Sequence, residues 1–183
     1  DHPACVDPVI RHLAIQLNDM CGDAEREALI VPHLFALVGT NQGAELTWRR
    51  ALRCLDAIIR VWAADSLDRF HFKAYAQKLR NLPPITDVKT AKDTVKTAKY
   101  VYRRVSVGGW LMDPAIGSAV AAALAAQNLV ESGNTVNDEH YAAINEALRR
   151  AARAHFGTPT RFLNLILDLL RELCDMGRVE TPA

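Results

Sequence analysis

The chain contains few of the residues that cross-link small proteins or interrupt their helices and strands. It has 4 cysteines, 9 glycines and 8 prolines in 183 residues. The cysteines form no C-x-x-C pair, and no histidine stands at a zinc-type spacing from them, which excludes the common zinc-finger and zinc-ribbon patterns. We therefore predict no metal site and no cofactor.

The placement of the cysteines also predicts a cellular setting. Cys5 and Cys21 flank a predicted helix of about fourteen residues, which separates them by roughly 20 Å and prevents a disulfide between them. Cys54 and Cys174 fall inside helical apolar patterns, where a free cysteine behaves as a small hydrophobic residue. Thiols used in this way predict a reduced, cytoplasmic environment.

Alternating apolar patterns are also missing, so no segment is predicted as a strand. Apolar residues recur instead with the helical period along nearly the whole chain. The predicted fold class is all-α, a single-domain multi-helix bundle of about seven or eight helices over residues 1–177, with 178–183 as a disordered tail. Without strands, the glycine-rich phosphate loops that follow a strand are not expected.

Two segments are predicted to be the central helices. The stretch 114–130 carries no charge, and a helix that is apolar all round lies either in a core or in a membrane. Its seventeen residues, seven of them alanine, are too few and too weakly hydrophobic to span a bilayer, so we predict burial and no transmembrane segment. The helix at 159–176 has a broad apolar arc and is predicted to be central as well.

Charge is the most uneven property of the chain. The net charge is only +1, yet residues 69–104 hold ten of the 22 Lys and Arg and two of the 21 Asp and Glu. This window carries +8 and the remainder carries −7. Five of its basic residues recur at spacings of three and four, which on a helix gathers them into a strip about 80° wide. We call them the basic strip: Lys89, Lys92, Lys96, Lys99 and Arg103.

The basic strip predicts an anionic partner. Lys and Arg bind nucleic acid by neutralising its phosphates, and single-stranded bases can stack on nearby aromatic rings. The predicted function is a non-enzymatic binding or assembly module in which the strip and Arg104 contact nucleic acid or an acidic protein. An ordinary solvated face, or a strip neutralised by acids elsewhere in the fold, is the competing interpretation. Six aromatic residues lie in or beside the window: Phe70, Phe72, Tyr75, Tyr100, Tyr102 and Trp110.

A heptad repeat accompanies the strip. Val88-Lys-Thr-Ala-Lys92 recurs as Val95-Lys-Thr-Ala-Lys99, which predicts a buried seam beside the lysines. On this pattern Tyr102 belongs to the core. The predicted seam consists of Val88, Ala91, Val95, Ala98 and Tyr102.

A second motif suggests a different function. Arg150 and His155 form an Arg-x4-His on a predicted helix, which resembles the motif of the HEPN ribonuclease family, helical bundles in which such residues face each other across a dimer interface and cleave RNA. The resemblance covers six residues. It implies that Arg150 stabilises phosphate charge and that His155 assists proton transfer. A third hypothesis is a structural homo-oligomer in which the +8 face meets the −7 remainder of a neighbouring copy.

Overall fold

The protein is mainly helical in the residues that the computed structural model describes, 4–105, 113–133, 135–154 and 159–177. No strand occurs within these ranges, so the predicted all-α class is confirmed. The predicted tail at 178–183 lies outside the described residues. The helices are α1 (Pro8–Met20), α2 (Asp23–Leu29), α3 (Leu34–Leu37), α4 (Ala44–Ala57), α5 (Ala64–Arg69), α6 (Lys73–Arg80), α7 (Val88–Val105), α8 (Asp113–Glu131), α9 (Asp138–Ala154) and α10 (Pro159–Asp175).

Two of these elements are not independent helices. A π-helical segment, Ile58–Ala63, joins α4 to α5 without a break, so that residues 44–69 form one continuous helix. The four-residue α3 continues a 3-10 turn, Val31–His33. Counted in this way, the described residues form a single-domain bundle of eight helices and one short helical turn.

The first helix begins with a cap that its sequence dictates. The Asp7 carboxylate accepts hydrogen bonds from the backbone N–H groups of Val9 (2.9 Å) and Ile10 (3.3 Å). Pro8 occupies the first turn, where its missing N–H has no helical partner to lose. From this start, α1 buries one apolar face: Val9, Ile10, Leu13 and Leu17.

A fully buried arginine connects α1 to the end of the chain. Arg50 on α4 forms an ion pair of 3.0 Å with Asp7, and neither side chain reaches solvent. Its Nε donates to the Leu173 carbonyl at 2.9 Å and its Nη2 to the Met176 carbonyl at 2.6 Å. Its Nη1 also donates to the Thr40 carbonyl. The guanidinium therefore satisfies carbonyls at the end of α10 while it neutralises the cap of α1.

The bundle is layered around α8. This helix packs against α7, α9, α4 and the π-helical segment. Its buried surface is made mostly of small side chains, which let the neighbouring backbones approach closely: Ala119, Ala122, Ala123, Ala125 and Ala126. The prediction that the 114–131 helix is central is confirmed.

The last helix buries its apolar arc against α1 and α4. Phe162 meets Trp62 of the π-helical segment edge to face, with ring centroids 5.1 Å apart. The rest of the arc is also buried: Leu163, Ile166, Leu167, Leu169, Leu170 and Leu173. Among the described residues, no helix has both the length and the apolar character that a membrane span requires.

Leu167 and Leu170 test the position of α10 in the core. Their relative exposures are 4% and 2%, so we expect Leu167→Ala or Leu170→Ala to lower the free energy of unfolding by about 2 to 5 kcal/mol. Leu124→Ala is the matched control, because Leu124 is 38% exposed, and it should cost less than about 1 kcal/mol. Urea melts followed by circular dichroism measure all three. Equal midpoints for the buried and exposed variants would contradict a core position.

Arg50 and Arg49 offer a second matched pair on adjacent positions. Arg50→Ala leaves the Asp7 carboxylate buried without its counter-ion, so we expect a loss of about 3 to 5 kcal/mol in the free energy of unfolding. Arg49 is exposed, and Arg49→Ala should stay within about 0.5 kcal/mol of the wild type. The two variants can be compared in the same urea melts. Similar losses would show that burial of the Arg50–Asp7 pair is not the source of stability.

Candidate anion-binding face

The helix that carries the basic strip starts at a reciprocal cap. The Thr90 N–H donates to the Asp87 carboxylate at 2.8 Å, and the Asp87 N–H donates to the Thr90 hydroxyl at 3.1 Å. The hydrogen bond from the Thr90 backbone N–H is the main reason why the pKa of Asp87 lies below its usual range. This cap sets where the strip begins, because Lys89 lies between the two residues.

Packing beneath α7 differs from the predicted heptad seam. Val88 and Tyr102 are 37% and 36% exposed, so the prediction that they lie in the seam is wrong. The buried positions still recur every seven residues, but the row formed by Val88, Val95 and Tyr102 is replaced at both ends by the neighbouring row of Thr94 and Val101. The helix buries mainly short side chains against α8: Ala91, Thr94, Val95, Ala98, Val101 and Val105.

All residues of the basic strip, together with Arg104, are exposed. Only Lys92 has a carboxylate within 4 Å in the described part of the chain, Glu131 at 3.7 Å. Both side chains of this pair are largely in water, at 60% and 42% exposure, so the pair is weak. Neutralisation of the strip by acids elsewhere in the fold is therefore not found within the described ranges.

Arginines on other faces are arranged differently. A groove of about 330 Å³ contains Arg53, Arg60 and Arg80, but each has an acidic partner at 2.5 to 2.6 Å. Arg161, at the edge of this groove, forms an ion pair with Asp65. These cations are compensated, whereas most of the basic strip is not. The partners in the groove are Glu172 for Arg53, Asp56 for Arg60 and Asp68 for Arg80.

Beside the strip, α7 and the end of α6 enclose a groove of about 510 Å³. Tyr100 stands in it with 43% of its surface exposed. Lys78 Nζ lies 5.7 Å from the centre of the Tyr100 ring and the Arg104 guanidinium lies 5.6 Å from it, both within cation–π range. We call this the Tyr100 groove; its lining residues are Lys78, Asn81, Leu82, Asp93, Lys96, Thr97 and Tyr100.

The other predicted aromatic residues are distributed unevenly. Tyr75 lies next to Tyr100, with ring centroids 6.5 Å apart. Phe70 and Phe72 are partly buried against the core. Trp110 lies outside the described residues. Sequence reasoning grouped the six by distance along the chain, whereas the structure brings Tyr100 alone into a groove with cations of both α6 and α7.

The structure describes one of the two residues of the HEPN-like motif. Arg150 is exposed, and its Nε donates to the Glu146 carboxylate at 2.7 Å. His155 lies outside the described residues.

Histidine and cysteine have structural roles where the chain is described. His140 closes a cap at the start of α9, because its Nδ1 accepts from the Asn137 N–H at 3.1 Å. No group of three or more His, Cys, Asp or Glu residues suited to a metal occurs in the described ranges. No disulfide forms among the described residues, and burial raises the pKa of Cys54 to about 12.

Comparisons with protein-family models, curated proteins and solved structures find no match to this chain. A functional proposal therefore depends on the geometry and charge of the faces described above.

The capping carboxylate gives a pH-dependent prediction for the start of the strip. Because the folded-state pKa of Asp87 is lowered, its stabilising contribution is present above the usual aspartate pKa and is lost as the pH falls through the lower folded value. We expect the Asp87 carboxyl carbon to titrate below the usual range in NMR. The first-turn amides of α7 should exchange faster in Asp87→Ala at neutral pH. A normal titration together with unchanged exchange would contradict the cap.

Proposed function

We propose that the protein is a non-enzymatic binding module whose basic strip contacts the phosphate backbone of nucleic acid. The observation that carries this proposal is the row of exposed cations on α7, most of which have no carboxylate within 4 Å among the described residues. Uncompensated charges attract an anionic polymer by releasing its condensed counter-ions. The paired arginines around Arg53 and Arg60 provide no comparable driving force.

The dimensions of the strip support a polyanion as the ligand. Lys89 and Arg103 are fourteen positions apart, which corresponds to about 21 Å along a helix. Phosphates of one nucleic-acid strand in a duplex rise about 3.4 Å each, so roughly six of them span this length. Because these phosphates also wind around the duplex axis, only part of them faces a straight strip, and the strip is long enough to contact several at once. Binding should therefore be strongly salt-dependent and weakly sequence-dependent.

A reducing compartment such as the cytoplasm is part of this proposal. Its support is that no disulfide occurs in the described part of the chain.

Charge reversal within the strip tests the function. We expect Lys92→Glu, Lys96→Glu and Lys99→Glu together to weaken binding strongly and to flatten the salt dependence, because each lost phosphate contact removes about 0.7 to 0.9 from the slope of log affinity against log salt. Helicity should be nearly unchanged, since Lys and Glu have similar helix propensities. Fluorescence anisotropy with labelled oligonucleotides at low and moderate salt measures the effect.

The control for charge reversal changes the same number of charges on other faces. Arg49→Glu, Arg149→Glu and Arg171→Glu alter exposed residues of α4, α9 and α10. This control should lose much less affinity than the strip variant. Equal losses would show that only net charge matters, and no binding by the wild type at micromolar protein in low salt would end the nucleic-acid proposal.

Three further measurements separate the remaining hypotheses. Salt-sensitive self-association without nucleic acid would favour the homo-oligomer. Binding of polyglutamate but of no oligonucleotide would favour an acidic protein partner. Metal-independent cleavage of RNA that disappears in Arg150→Ala and in His155→Ala would favour the ribonuclease.

A further inference from the structure

The Tyr100 groove lies directly alongside the basic strip. Lys96 belongs to both, and Tyr100 follows it by four residues, one turn further along α7 and about 40° around it. A strand whose phosphates contact the strip therefore places the attached bases within reach of the Tyr100 groove. This juxtaposition of a phosphate-binding row with an aromatic groove indicates which part of a nucleotide each surface receives.

Asp93 indicates that the groove does not receive the phosphate. It is the only acidic residue in the sequence of α7, and it lines the Tyr100 groove on the same side of the helix as Tyr100, about 60° around from Lys96. A carboxylate repels phosphate but accepts hydrogen bonds from an exocyclic amino group of a base. The Tyr100 groove therefore offers an acceptor for a base, Asp93, beside Lys78 and Lys96, whereas the rest of the basic strip consists of cations alone.

Tyr100 has the exposure and surroundings of a stacking residue. Its ring is 43% exposed and is flanked by Lys78 and Arg104, so it is not used to fill the core. Aromatic rings flanked by cations bind unpaired bases through their π-faces, with little sequence preference. Beside the ring, the Asn81 side-chain oxygen already accepts from Gln77 at 2.7 Å, which leaves the Asn81 amide N–H groups as donors to a base edge.

We infer that the ligand of this face is single-stranded nucleic acid, with its phosphates along the basic strip and one base stacked on Tyr100 in the groove between α6 and α7. This inference rests on the proposed function and adds the strandedness of the ligand. A duplex offers the phosphates but keeps its bases stacked and paired inside the helix, so the Tyr100 groove stays unused. The protein therefore binds a single strand more tightly than the same sequence in a duplex.

Three labelled probes of equal length and mixed sequence test the inference by fluorescence anisotropy: a DNA single strand, its blunt duplex, and a single strand of abasic sites. Tyr100→Leu removes the ring and keeps an apolar side chain. It should weaken binding of the normal single strand by roughly 5- to 150-fold, the range for loss of one stacked base. Affinity for the duplex and for the abasic strand should not change.

Tyr102→Leu is the matched control. Tyr102 is on the same helix and is 36% exposed, but it does not line the Tyr100 groove. This variant should bind all three probes like the wild type. Circular dichroism melts of both variants show whether the fold is retained.

Each negative result contradicts a different part of the proposal. If Tyr100→Leu binds the single strand as the wild type does, or loses as much affinity for the abasic strand, stacking on Tyr100 is excluded while the basic strip remains a phosphate site. If the wild type binds duplex and single strand equally, the inferred strandedness is wrong. If the wild type binds none of the probes, the proposed function fails and this inference fails with it.

Discussion

The arrangement of the helices depends on the buried guanidinium of Arg50. Removing an arginine and an aspartate from water is costly, and the cost is recovered only when the pair is close and its remaining hydrogen-bonding groups are satisfied. Arg50 meets this condition with four hydrogen bonds, to Asp7, Thr40, Leu173 and Met176. Because these partners are so far apart in sequence, the first helix, the segment before α4 and the end of α10 must converge on one point.

This convergence leaves α7 on the outside of the bundle. With α1, α4 and α10 packed together and α8 at the centre, α7 contacts mainly α8 and buries short side chains such as Ala91 and Ala98. A narrow buried arc leaves most of the circumference of α7 in water. The lysines are exposed for this reason, and Tyr100 stays at the rim of a groove instead of entering the core.

The candidate site is distinguished by the lack of carboxylate partners for most of its cations, more than by the number of cations. Several arginines elsewhere are paired with carboxylates across or along helices, as in Arg53 with Glu172 and Arg60 with Asp56. Such pairs stabilise neighbouring elements but leave little attraction for an external anion. Asp93 is the only acidic residue in the sequence of α7, and it lines the Tyr100 groove. The electrostatic potential of this face therefore favours an anion along the row of lysines and an uncharged aromatic group beside it.

Local patterns in the sequence were sufficient to predict the helical class, the central 114–131 helix and the angular gathering of the basic strip, because each depends on spacings within one helix. The seam of α7 was predicted wrongly at Val88 and Tyr102, since a seven-residue repeat fits two neighbouring rows of the helix and only the contact with α8 decides which row is covered. Burial of Arg50 could not be predicted, because an arginine in the salt-bridged pattern of α4 looks like a solvated residue until Asp7 and the end of α10 meet it. For the same reason, the tertiary structure alone decided which cations keep their charge uncompensated and which aromatic ring stands among them. Contacts between residues distant in sequence depend on the packing of whole helices, and the period of a single helix does not contain that information.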